Sequence, residues 1–183
     1  MQIVQNQKLM NQENGKLIIN IMISEEDFNQ AINECYTKGK RLGSGKDGEV
    51  YEYFHNINNA KFALKIISLF GDVEYQVEVY QKQNMRIILN PHPNIVRTLY
   101  FSIADDRSKF FIFMEKMEYT LKSEIERRRK NNFEYFSIDE YTNLFTSLIK
   151  TFAFLESLKI AHRDIKPDNL MFDENGVIKI VDL

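Results

Sequence analysis

Between Ala161 and Leu170 the chain reads Ala-His-Arg-Asp-Ile-Lys-Pro-Asp-Asn-Leu, and no other stretch limits its fold and chemistry as tightly. Asp164 is followed by Lys166 and then by Asn169. These residue types supply a carboxylate that orients a hydroxyl and accepts its proton, an ammonium for a transferring phosphoryl group, and an amide oxygen for Mg2+. The plainer reading is a polar loop broken by Pro167, but the number of chemically apt residues at fixed spacing argues against it. Upstream, Ser137 and Glu140 make a capping box that opens a helix over about Ile138 to Leu158, with Tyr141, Leu144, Leu148, Phe152 and Leu155 as its apolar stripe. Downstream, Leu170 to Phe172, the turn Asp173-Glu174-Asn175-Gly176 and Val177 to Val181 read as a hairpin. The hairpin ends on Asp182, 18 residues after Asp164, where a metal ligand bridging two phosphates is wanted.

Nearer the start, Gly43-Ser44-Gly45-Lys46-Asp47-Gly48-Glu49-Val50 is a GxGxxGxV run. Glycines let backbone amides approach phosphate oxygens with no Cβ in the way. Gly-rich turns are common, and most bind nothing. Here strand patterns flank the turn, whereas a dinucleotide-binding loop leads into a helix. Val50 is then placed to cover one face of a base. Lys65 ends the next apolar strand, Phe62-Ala63-Leu64-Lys65, 22 residues after Gly43. A solvated strand end is the ordinary role for such a lysine; a phosphate-binding loop gives it another. Its ammonium then needs a carboxylate to hold it, with Glu74 and Glu78 as candidates one turn apart on a helix over about Glu74 to Ile88, and Glu78 preferred.

The remaining pattern is β-rich from Tyr36 to Lys65, with strands also expected over Ile95 to Phe101 and Phe110 to Glu115 around the turn Asp105 to Ser108. Residues 1–16, rich in Gln and Asn, read as a loose lead-in, and Leu17 to Ile23 as a strand. Ser24 with Glu25, Glu26 and Asp27 opens a short helix whose Phe28, Ala31, Ile32 and Cys35 share a face suited to packing. The run Arg127-Arg128-Arg129-Lys130 reads as a solvated helix end. With 44% hydrophobic and 27% charged residues the composition is globular, and a net charge of -2 gives nucleic acid or an anionic membrane no global attraction. Cys35, the one cysteine, excludes an internal disulfide and a multi-cysteine metal site. With no signal peptide or membrane segment apparent, a soluble cytoplasmic protein is expected.

Taken in order, the glycine-rich loop, the strand lysine, the HRDIKPDN loop and the start of a metal-binding tripeptide at Asp182 resemble the eukaryotic protein kinase family over about Tyr36 to Leu183. The resemblance implies an α+β, protein-kinase-like fold. Residues 1–35 are then an N-terminal extension, 36–116 a β-rich N-lobe with one helix, and 117–183 an incomplete, mainly helical C-lobe. It implies ATP and Mg2+ as cofactors and Ser/Thr hydroxyls of proteins as acceptors, because tyrosine kinases usually lack the lysine at 166. Asp164 is then the catalytic base and Lys166 a γ-phosphate contact. Asn169 and Asp182 hold the metal, and Gly43, Gly45, Gly48 and Lys65, with Glu78 positioning the lysine, serve the phosphates. The resemblance further assigns the gatekeeper to Met114, adenine-binding backbone to Glu115 and Met117, and the base sandwich to Val50, Ala63 and Met171.

Two substitutions depart from the family pattern: Asp47 at the loop tip, where an aromatic is frequent, and Leu183, where Phe is commoner. The sequence also stops at Leu183, before the activation segment and the helices that would floor the catalytic loop. From this we expect a fragment, inactive alone, with an exposed apolar patch on the long helix. The rival expectation is a non-catalytic nucleotide-binding or interaction module derived from a kinase.

Overall fold

The computed structural model describes residues 12–13, 16–17, 22–23, 30, 32–45, 48–104, 106–132 and 135–183. The Ser24 helix start with Phe28 and Ala31, and the loop-tip residues Lys46 and Asp47, lie outside them. The chain divides into two units, Met1–Val79 with Leu99–Met114, and Tyr80–Thr98 with Glu115–Leu183.

In the first unit β1 (Gln12–Glu13) pairs antiparallel with β2 (Lys16–Leu17), so the lead-in carries a short hairpin. Of the expected strand Leu17 to Ile23, β3 (Met22–Ile23) joins the main sheet. That sheet continues with β4 (Tyr36–Gly45), β5 (Gly48–His55), β6 (Lys61–Ser68), β7 (Thr98–Ala104) and β8 (Lys109–Glu115). Its order is β3-β7-β8-β6-β5-β4, with α1 (Val73–Leu89) between β6 and β7 in sequence. Strands β4, β5 and β6 are antiparallel neighbours, and β3 runs parallel to β7.

Side-chain alternation sorts this sheet into two faces. Tyr53, Leu64, Ala104, Phe111 and Phe113 form one buried cluster, with Tyr51, Phe62 and Ile66 packed against it. Tyr36 meets Phe113 edge-on at 4.9 Å, and Phe62 stacks on Phe113 at 5.2 Å. Ile32, in helical residues 32–35, is buried in the same cluster, which agrees with packing as the role of that segment. Ridding each such side chain of water contributes about 1.5–3 kcal/mol, so this face holds the sheet together.

The second unit comprises β9 (Tyr119–Thr120), α2 (Leu121–Lys130), α3 (Ile138–Ser157), β10 (Leu170–Phe172) and β11 (Ile178–Ile180). The three short strands form one sheet in the order β11-β10-β9. Both long helices open on capping boxes: Thr120 with Ser123 for α2, and Ser137 with Glu140 for α3, as the sequence predicts. Leu121, Leu148, Leu155, Leu170, Ile178 and Ile180 make the core with Ile87 and Ile95. From the predicted stripe of α3, Leu148 and Leu155 are buried, whereas Tyr141 and Phe152 stay exposed beside Phe145 and Ile149. The expected apolar patch is therefore present only in part: Leu148 and Leu155 of the stripe are covered, and Leu144 packs against the core.

Two predictions need correction. The strand expected from Ile95 begins at Thr98. Ile95 instead bridges Ile180 in parallel, and Val96 N–H donates to Ile180 O at 2.9 Å, so this stretch is drawn to the second unit's hairpin. The basic run after Ile125 is not uniformly solvated either. Arg128, its side chain only 12% exposed, pairs with Glu124 at 2.7 Å and Glu140 at 2.6 Å, and its guanidinium lies 3.9 Å from the centroid of the Phe136 ring.

Candidate active site

The strand register aligns the predicted residues of the first unit. Gly43 pairs with Val50 and Val50 with Lys65, which puts all three positions in one row across β4, β5 and β6. Ala63, two residues from Lys65, lies on the same face, as do Gly45 and Gly48, which pair with each other. This face is opposite the aromatic core, and alternation along β8 places Met114 on it too, out of phase with Phe111 and Phe113. Gly48 takes φ +115°, and a Cβ there would run into the Ile66 carbonyl oxygen. Gly43 and Gly45 differ: a Cβ on either meets no described atom within 4 Å. Of the two candidate partners for Lys65, Glu74 pairs with Arg107 of the β7–β8 turn, while Glu78 stands one turn farther along α1.

In the second unit the predicted catalytic loop is knitted by its own side chains. Lys166 Nζ lies 2.6 Å from Asp164 Oδ2. Asn169 Nδ2 donates to both Asp164 O at 2.8 Å and Asp164 Oδ2 at 2.9 Å. The hydrogen bond from Lys166 holds the Asp164 carboxyl below its ordinary range, with Asn169 assisting, and Asp164 in turn raises the lysine. Asp164 is thus ionised and fixed in direction, which suits orienting a hydroxyl. Asn169 is buried, and with its Nδ2 committed twice, Oδ1 is the atom suited to a cation.

Asp182 is anchored through its neighbour. Val181 N–H donates to Asn169 O at 3.1 Å, and His162 Nε2 donates to Val181 O at 2.8 Å. The same imidazole accepts from Asp164 N–H at Nδ1, 3.3 Å away, so one ring joins the backbones before Asp182 and at Asp164. Asp182 and Arg163 both have positive φ, 59° and 66°. Lys122, at the start of α2, pairs with Asp168 at 3.0 Å, and its N–H donates to Pro167 O at 3.1 Å. Met171 sits in the central strand opposite Lys179 and Thr120, on the side away from Leu170, Ile178 and Ile180 of the core. Met117 is buried. The Glu115 N–H donates to Arg97 O at 3.0 Å.

Sequence reasoning missed the side chain of Glu115. Its carboxylate accepts from Lys179 Nζ at 2.8 and 2.9 Å, and from Arg97 N–H at 2.6 Å. No local pattern signals a pair 64 residues apart.

The model of the protein kinase domain family matches residues 36–183. The chain belongs to the protein kinase domain family. This kinase chain is 30% identical over 154 residues to mitogen-activated protein kinase kinase kinase 5 of Arabidopsis thaliana, covering 82% of itself and 21% of that protein. It is 34% identical over 152 residues to mitogen-activated protein kinase kinase kinase 1b of Physcomitrium patens, covering 81% and 19%. To the serine/threonine-protein kinase SSK22 of Saccharomyces cerevisiae it is 33% identical over 157 residues, covering 82% and 11%. The kinase chain thus spans at most about a fifth of the length of these relatives. Leu183, where the family more often has Phe, packs against the second unit's core, an apolar exchange of similar volume.

Proposed function

We propose that this kinase transfers the γ-phosphate of ATP, with Mg2+, to Ser and Thr hydroxyls of proteins. The observation that carries the reading is the Asp164–Lys166–Asn169 constellation, joined to Asp182 through the Val181 backbone. Asp164 orients the acceptor hydroxyl and takes its proton, and Lys166 moves from Asp164 to the transferring phosphoryl group. Asn169 Oδ1 and the Asp182 carboxylate are hard oxygen donors of the kind Mg2+ takes, and two are enough for an ion that keeps waters and phosphate oxygens. Bound there, the ion would neutralise charge on the phosphates.

Lys65, held by Glu78, is assigned to the α- and β-phosphates. Gly43 and Gly45 support the phosphate reading, because among the described residues packing gives no reason for glycine at either position; close approach of a ligand does. Val50, Ala63 and Met171 are assigned to the faces of the base, and the Glu115 carbonyl and Met117 backbone to its edge. Ser/Thr acceptors are favoured by Lys166 and by the likeness to the serine/threonine-protein kinase of Saccharomyces cerevisiae. The match beginning at Tyr36 supports reading 1–35 as an extension. We assign 36–116 to an N-lobe, 117–183 to a partial C-lobe, and the protein to the cytoplasm. Among the described residues no helix is long and apolar enough to cross a membrane.

The test is a thermal titration of residues 1–183 with Mg·ATP. A rise of about 5–10 °C is expected at a hundredfold excess over Kd, lost in Lys65→Met and Asp182→Asn. No rise in the unmodified chain would sink the nucleotide reading. In the whole protein Asp164→Asn should keep the rise yet cut label transfer from ATP to phosphoserine and phosphothreonine by about a hundredfold or more. A whole protein that binds ATP without any transfer is instead the non-catalytic module.

A further inference from the structure

The Glu115 carboxylate is gripped more firmly than a strand end requires. Lys179 Nζ reaches both of its oxygens, and Arg97 N–H donates to one of them while accepting the Glu115 N–H at its own carbonyl. Lys179 is 12% exposed in its side chain, and Asp173 Oδ2 stands 3.7 Å from its ammonium. A charge so poorly hydrated is held by its partners, and loss of the lysine leaves the Glu115 carboxylate with one backbone donor. Lys179 also stands opposite Met171 in the β10–β11 register, three residues before Asp182. One side chain therefore ties the Glu115–Met117 stretch to the strand that leads into the metal-binding aspartate.

We propose that Lys179 is a positioning residue for base selection, acting through Glu115; this rests on the nucleotide reading above. With the Glu115 amide fixed to Arg97 and its side chain fixed to Lys179, the residue has little freedom to turn its carbonyl. A carbonyl held in one direction accepts a hydrogen bond from the 6-amino group of adenine and repels the 6-oxo group of hypoxanthine. Released from Lys179, the carbonyl can rotate away from either group, and discrimination falls.

The experiment titrates residues 1–183 with Mg·ATP and Mg·ITP, in the unmodified chain and in Lys179→Met, Lys179→Arg and Glu115→Gln. The unmodified chain should prefer ATP. Lys179→Met should lower the ATP-to-ITP affinity ratio about five- to tenfold, the range of one hydrogen bond, and Lys179→Arg should restore most of it. General damage to the fold would weaken both nucleotides alike and leave the ratio unchanged. Should Lys179→Met not fold, Glu115→Gln decides, with a fall in the ratio expected. Variants that keep the original ratio, or an unmodified chain that binds both nucleotides equally, overturn the role of Lys179 and leave the nucleotide reading standing. An unmodified chain that binds neither overturns the nucleotide reading and this role with it.

Discussion

Gly43, Gly45 and Gly48 look alike in the sequence, yet at the residue scale they answer to different forces. Gly48 is required by its backbone: φ +115° disfavours an L side chain, and a Cβ would strike the Ile66 carbonyl oxygen. At Gly43 and Gly45 a Cβ would meet no described atom, which fits the proposed ligand as the reason for glycine there. Gly48→Ala should cost about 2 kcal/mol or more in urea unfolding, whereas Gly43→Ala and Gly45→Ala should stay within about 0.5 kcal/mol of the parent and lose affinity for Mg·ATP. Equal stability losses at all three positions would contradict this division. Asp164, Lys166 and Asn169 were legible because their chemistry and spacing are local. Lys179 was not, since its partner is supplied by another strand.

At the scale of elements, capping and periodicity predicted α3 to within a residue of its observed end, because a capping box and an apolar repeat act within a few residues of chain. The link between α2 and α3 was not predictable in this way. Arg128 donates to Glu124 and Glu140 and to Tyr135 O, spanning the loop that joins the helices. It holds both carboxyls down: Glu124 to about 2, led by Arg127 with Arg128 assisting, and Glu140 to about 2, led by Arg128. An unfolded glutamate titrates near 4.3. Depressed carboxyls stabilise the fold fully above that value, and the contribution is lost as pH falls through about 2. The urea midpoint should therefore decline between about pH 5 and pH 2. Arg128→Met should lower the midpoint at pH 6 by a few tenths molar and flatten the acid decline. An acid limb of unchanged steepness would show that the clamp is not its cause.

For the molecule as a whole, the unburied side of α3 should govern behaviour in solution. Tyr141, Phe145 and Ile149 are 46%, 55% and 66% exposed along one helix, an apolar run that water does not favour. Residues 1–183 should self-associate as concentration rises, read as increasing mass by light scattering on a sizing column. Phe145→Lys with Ile149→Lys should suppress the association and leave helix content unchanged, since neither side chain is buried. A parent chain that stays monomeric at high concentration would show the patch to be harmless.

The family was determined by the sequence alone, because residue types at fixed spacing within the short loop Asp164 to Asn169 identify it without any distant contact. The β-rich then helical order was legible for the same reason: turns, caps and side-chain periods are local. Tertiary structure decided which groups share a row, with Gly43, Val50 and Lys65 aligned by strand register. It also decided that Ile95 pairs with Ile180 instead of extending β7, and that Glu115 is held by Lys179. Hydrogen-bond register and charge pairing between distant segments depend on distances that only the folded chain defines.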